Sequence, residues 1–239
     1  MKKDMPLLDH LEELRHCLFR VFFYYVVIAA FCGYFSKDIF NLLKSPLEGF
    51  LPKGSFFIAT TALSGWFVYL KVALVSAAVL VVPFGLFEVL SFVTPGLKSS
   101  EKKSVLPSAI GMSIFFYGGL LFAYFSVLPL SFRFLTEIYQ DSGVHFLPQI
   151  EDHLSFVLVT LFGFGLIFIL PFLIFALISL GIVSPKTLAN ARRFIYVGAF
   201  VIGAILTPPD VASQLLMSVP FILLFELGLL MGRLASKKS

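Results

Sequence analysis

The chain holds 239 residues, of which 59% are apolar, 16% aromatic and 13% charged, with a formal charge of +4. Soluble domains carry about 25% charged and 45–50% apolar residues, and here the apolar residues are gathered into long runs. That excludes a nucleic-acid-binding domain and a soluble metabolic enzyme, and predicts an all-α integral membrane protein forming one membrane domain over residues 1–239.

The first twenty residues place Leu7, Leu11, Leu14 and Leu18 at helical spacing, an apolar stripe on an amphipathic helix. The spacing predicts a helix at the membrane interface with its leucines inward, His10 and Arg15 flanking, and Glu13 turned to water or a partner. The apolar runs are Cys17–Phe35, Trp66–Val93, Val105–Leu135, Leu154–Leu180, Phe194–Leu206 and Val211–Met231. A run of about 18 residues or more crosses the ~30 Å hydrocarbon core as a helix, and the pattern predicts six transmembrane helices.

Between the first two spans, Ser36–Gly65 mixes prolines and glycines with Ile39, Phe40, Leu42, Leu43 and Leu47, so a short surface helix and an irregular outer cap are expected. The next connection, Pro95–Ser104, is basic, with Glu101 among Lys98, Lys102 and Lys103, where a carboxylate ordinarily serves as a local counter-ion. Thr136–His153 is predicted to be an acidic outer loop. Phe194–Leu206 has 13 residues and reaches only ~20 Å, so the last two helices should be short, joined by the turn Thr207-Pro208-Pro209-Asp210. Pro83, Pro107, Pro129, Pro171 and Pro220 fall inside the runs, and five bends predict a curved bundle with a concave face.

Thirteen of the 18 Lys and Arg residues fall at the termini and in the second and fourth connections. Lys and Arg collect on the cytoplasmic side, so both termini are expected there. Cys17 and Cys32 form neither a disulfide framework nor a metal spacing.

Glu88 and Glu226 lie within apolar runs, where an acid costs about 2.5–3.5 kcal/mol on insertion scales and normally faces protein, water or a partner. Lys71 is expected to snorkel to the outer surface. Gln214 stands with Asp210 at the outer start of the last helix. There is no phosphate-binding G-x-x-x-x-G-K-[ST], no H-E-x-x-H and no G-x-S-x-G, and His10-Leu11-Glu12-Glu13 has the wrong spacing for zinc. No enzyme, metal site or cofactor is expected. A proton- or ion-coupled small-molecule secondary transporter using Glu88 and Glu226 is the alternative, although no internal repeat of the kind such transporters carry is visible.

Several motifs in order resemble the TatC family, the multispanning core of the twin-arginine protein translocase. They are His10-Leu11-Glu12-Glu13-Leu14-Arg15, Ser45-Pro46-Leu47, Phe92-Val93-Thr94-Pro95-Gly96-Leu97 with Glu101 after it, Phe122-Ala123-Tyr124-Phe125, and Leu206-Thr207-Pro208-Pro209-Asp210-Val211 with Ser213-Gln214. The resemblance implies a receptor and scaffold in the bacterial cytoplasmic (inner) membrane that binds twin-arginine signal peptides of folded cargo and draws on the protonmotive force. It implies that Glu13 and Glu101 meet the two arginines, with Arg15, Phe92 and Pro95 in the same binding region. Pro46, Tyr124, Thr207, Asp210, Gln214, Glu88 and Glu226 are then structural or partner-contact positions. The implied partners are TatA-like and TatB-like single-span subunits, membrane lipid and further copies of the chain. One departure is plain: many relatives carry a glutamate just before the proline of the fourth span, where this chain has Phe168-Ile169-Leu170-Pro171.

Overall fold

The computed structural model describes residues 7–50, 56–93, 105–140, 147–179, 181–206 and 211–236. Among these the chain is almost wholly helical, with α1 (Leu7–Tyr34), α2 (Ser36–Glu48), α3 (Ser64–Val93) and α4 (Val105–Phe122) in its first half. A π-turn at Ala123–Val127 joins α4 to α5 (Leu128–Gln140), and α6 (Ile150–Ser179), α7 (Pro185–Leu206) and α8 (Val211–Ser236) follow. The one β feature described is a single bridge from Ile58 to Gln149, which ties the segment before α3 to the segment before α6.

Among the described residues, five segments are long and apolar enough to cross a bilayer: Leu11–Tyr34, Ser64–Phe92, Leu106–Glu137, Ile150–Ser179 and Gln214–Leu234. Helix α7 is not among them; its apolar part follows a polar stretch, Lys186–Arg193. The sequence places no apolar residue pattern there, yet the helix begins at Pro185 for a local reason. Ser184 Oγ accepts from the Thr187 amide at 3.1 Å, capping the helix, and proline at the first helical position lacks only a donor that would be orphaned anyway. With 22 and 26 residues, α7 and α8 are shorter than the 30-residue α3 and α6, although α7 starts at Pro185, ahead of the apolar run Phe194–Leu206.

Helix α6 is the central element and packs against α4, α8 and α3. Its inward side carries Leu154, Val157, Leu158 and Phe164, all buried. Lipid tails are as apolar as leucine, so close packing rather than hydrophobicity holds such helices together. Glycines permit the approach: a Cβ at Gly119 would stand 2.6 Å from the Phe164 carbonyl oxygen, and one at Gly228 2.8 Å from the Pro171 Cα. Helix α6 ends at Gly181, whose φ of 68° suits glycine, with its amide and that of Ile182 returning to the carbonyls of Ile178 and Leu177.

Three expectations are corrected. Residues 7–20 do not form a separate surface helix; α1 runs unbroken from Leu7 to Tyr34, having no proline and no glycine before Gly33. The loop at Thr136–His153 is shorter than predicted, since α5 continues to Gln140 and α6 starts at Ile150, burying His153 between the rings of Phe57 and Phe132. One of the five prolines expected to bend a helix stands at a helix start. Pro107 sits in the first turn of α4, where no intrahelical bond is lost, while Pro83, Pro171 and Pro220 lie inside helices and Pro129 follows the widened π-turn. A groove of about 620 Å³ opens between α3 and α6, with Ile202 of α7 and Phe221 of α8 on its walls.

Candidate functional site

Helices α1 and α3 run antiparallel: Tyr25 Oη donates to the Leu74 carbonyl at 3.2 Å, Tyr24 and Phe84 hold ring centroids 5.5 Å apart, and Arg20 reaches Glu88. The Arg20 guanidinium grips Glu88 as a fork, Nε standing 3.0 Å from both carboxylate oxygens and a terminal nitrogen 2.7 Å from Oε2. Glu88 is 8% exposed. The intramembrane acid is thus paired by a guanidinium, the arrangement that offsets its desolvation.

Glu13, Cys17, Arg20 and Tyr24 repeat at i, i+4, i+7 and i+11, one stripe of α1. Cys17 is 3% exposed and Glu13 is partly buried, with Oε2 shielded from solvent. The leucine stripe is on another side, with Leu11 and Leu18 each 60% exposed on the chain. The leucines thus face lipid, while Glu13, expected toward water or a partner, stands on the stripe that packs on α3. The reason is that the fork and the small Cys17 side chain draw α1's polar stripe onto α3, so the leucines are left facing outward, as suits a lipid-facing surface. Phe92, one turn beyond Glu88 on α3, is partly buried and carries that column toward the level of Glu13. Arg15 is exposed. Glu12 and His16 form an exposed pair at 3.9 Å, of small energetic consequence. Pro95 and Glu101 lie outside the described residues.

A second clamp joins α7 to α8. Arg192 donates to Glu226 through Nε at 2.7 Å and a terminal nitrogen at 2.6 Å, and Tyr196 Oη donates to the same carboxylate at 2.6 Å. Both intramembrane acids singled out by the sequence are therefore held by arginine, and neither partner was anticipated. The available signal was the rule that such an acid has a partner, applied to basic residues at the same helix ends.

A third cluster fastens the cap. Tyr124 Oη, in the π-turn, donates to the Leu42 carbonyl at 2.8 Å and stands 2.9 Å from Ser45 Oγ, beside Pro46 inside α2. Two motifs 79 residues apart thus meet in one contact. Near the α7–α8 turn, Gln214 Nε2 donates to the Phe200 carbonyl at 3.0 Å and Ser218 Oγ lies 3.2 Å from the Ala199 carbonyl. Gln214 therefore braces the pair of helices, while Thr207 and Asp210 lie outside the described residues.

Comparison with known proteins bears on what these elements serve. Residues 9–220 match the model of the family described as Sec-independent protein translocase protein (TatC). The chain is similar to the Sec-independent protein translocase protein TatC of Azotobacter chroococcum, with 41% identity covering 96% of this chain and 90% of the relative. It is likewise similar to that of Escherichia coli K12, at 40% identity covering 98% and 90%. A crystal structure of the twin-arginine translocase receptor TatC superposes with a TM-score of 0.85 at 33% identity, covering 95% of this chain and 99% of that one.

Proposed function

Because the chain belongs to the TatC family, we propose that its α1–α3 end receives the twin-arginine signal peptides of folded cargo. The chain is a membrane component of the Sec-independent protein translocase and not an enzyme. In this reading the basic faces and both termini are cytoplasmic, the membrane is the bacterial inner membrane, and α7 completes a sixth span. Glu13 and Glu101 take the two signal arginines, with Arg15, Phe92 and Pro95 shaping the surface around them. The apolar part of the signal follows the helices, and TatA-like and TatB-like single-span subunits assemble against the α7–α8 pair, with transport driven by the protonmotive force.

The observation that carries the reading is the Arg20–Glu88 fork. The same end of α1 and α3 already holds a guanidinium against a carboxylate in bidentate geometry, seven residues from Glu13. Such geometry distinguishes arginine from lysine, whose compact ammonium cannot make two parallel bonds. The clamps on Glu88 and Glu226 speak against the alternative of a proton-coupled transporter, since each acid is engaged by an arginine instead of open to a proton path.

The test is a titration of purified protein in detergent with a fluorescent Arg-Arg signal peptide and its Lys-Lys twin. A hydrogen bond to a charged group contributes about 1.5–3 kcal/mol, so the Arg-Arg peptide should bind at least about tenfold tighter. Glu13→Gln or Glu101→Gln should erase most of that difference. Equal binding of the two peptides by the wild-type protein would overturn the assignment of arginine recognition to this chain.

A further inference from the structure

The groove between α3 and α6 has one charged end. Lys71 Nζ lies 2.7 Å from Ser155 Oγ, which in turn donates to the Glu151 carbonyl at 2.5 Å. The hydroxyl's proton is committed to that carbonyl, so its oxygen accepts from the ammonium and leaves two N–H donors unspent. No carboxylate among the described residues forms an ion pair with Lys71; Glu151 lines a neighbouring hollow with it but remains outside ion-pair distance. A solitary cation is thus fixed at the mouth of a cavity whose remaining wall is apolar, including Val75, Leu158, Phe162, Leu166 and Leu170.

Depth decides what fits there. Helices α3 and α6 have 30 residues each, ~45 Å at 1.5 Å per residue, and overhang a ~30 Å hydrocarbon core by roughly 7 Å at each end. Lys71 is seven residues into α3 and Ser155 five into α6, ~10 Å and ~8 Å from the helix starts. The ammonium therefore stands at the boundary where headgroup phosphates meet hydrocarbon, in the leaflet on the α2 side. From Ser155 to Leu170 the groove follows α6 for ~22 Å, against ~15 Å for one leaflet's share of the core. A cation at the phosphate level above an apolar slot as deep as a leaflet is complementary to one kind of molecule.

We infer that this groove is a binding site for an anionic phospholipid, its phosphate on the Lys71 ammonium and Ser155 and an acyl chain along α6. The site lies apart from the Arg20–Glu88 end of the molecule, and the inference stands independently of arginine recognition there.

The protein purified in mild detergent is titrated with phosphatidylglycerol and separately with phosphatidylcholine, and bound lipids are counted by native mass spectrometry. The wild-type protein should retain one phosphatidylglycerol under conditions that strip phosphatidylcholine. Lys71→Gln should lower that occupancy about tenfold, the size of one lost charge-assisted hydrogen bond, whereas Lys71→Arg should keep it and the exposed Lys186→Gln should not alter it. Val159→Trp, which fills the groove from an exposed position, should lower retention of both lipids while leaving the cation in place. It serves as the deciding variant if Lys71→Gln does not fold. Equal phosphatidylglycerol occupancy in wild type and Lys71→Gln, or no effect of Val159→Trp, would overturn the inference. So would loss of binding to an acidic membrane-spanning peptide in Lys71→Gln with lipid occupancy unchanged, because the occupant would then be a protein helix.

Discussion

Glu88 and Arg20 are separated by 68 residues in the chain and by 2.7 Å in the fold. Glu88 is buried but the Arg20 side chain is half exposed, so removing the arginine leaves a desolvated carboxylate, whereas replacing both by apolar groups of similar size is often tolerated. Arg20→Leu should accordingly lower the melting temperature in detergent by several degrees, and Arg20→Leu/Glu88→Leu should recover most of the loss. A double variant no better than the single would show that Glu88 is satisfied without Arg20. The sequence marked Glu88 and Glu226 as acids in need of partners but could not say which, because pairing depends on the antiparallel register of α1 with α3 and of α7 with α8. Glu13 illustrates the opposite failure. Amphipathic reasoning set its leucines into the membrane interface and left Glu13 to water or a partner, but in lipid the polar stripe is the one that needs protein neighbours, so Glu13 is partly buried on the stripe that packs on α3.

At the scale of elements, the apolar runs announced their helices because a span must close all its backbone hydrogen bonds within itself. What they could not announce was how closely two spans approach. Gly118 and Gly119 are neighbours on α4 with contrary surroundings: a Cβ at Gly118 meets nothing within 4 Å, whereas one at Gly119 stands 2.6 Å from the Phe164 carbonyl oxygen of α6. Gly118→Ala should be neutral or stabilise by up to about 1 kcal/mol through helix propensity. Gly119→Ala must push α4 from α6 and should cost about 1–3 kcal/mol, read from thermal unfolding of the two variants side by side. The cap gives a second test. Tyr124→Phe deletes the hydroxyl that reaches Leu42 and Ser45, a net loss of about 0.5–1.5 kcal/mol. Amide exchange should accelerate in α2 and remain unchanged in the distant α7–α8 pair.

For the whole molecule, the number of crossings rests on α7. Among the described residues, five segments satisfy the length and apolarity of a span; α7 contributes 22 residues, ~33 Å of helix, of which the first nine positions, Pro185–Arg193, are largely polar. Arg192 is drawn to Glu226 of α8 and Gln214 of α8 reaches back to Phe200, so the pair is pinned at two levels along its length. Under the six-span reading proposed above, a helix fixed in that way to a spanning neighbour is expected to cross with it, its polar start held at the headgroups by Arg192 and Arg193 and the bilayer thinned around its 13-residue apolar part. An even count puts both chain ends on one side and an odd count puts them on opposite sides. Fluorescent-protein fusions at the N-terminus and after Ser239 should therefore both fluoresce, as that fold matures in the cytoplasm, while a phosphatase inserted at Ser142 should be active. A dark C-terminal fusion with an active phosphatase there would leave five crossings. Helix α7 would then lie at the membrane surface with α8 crossing alone, and the surface proposed for single-span partners would move with it.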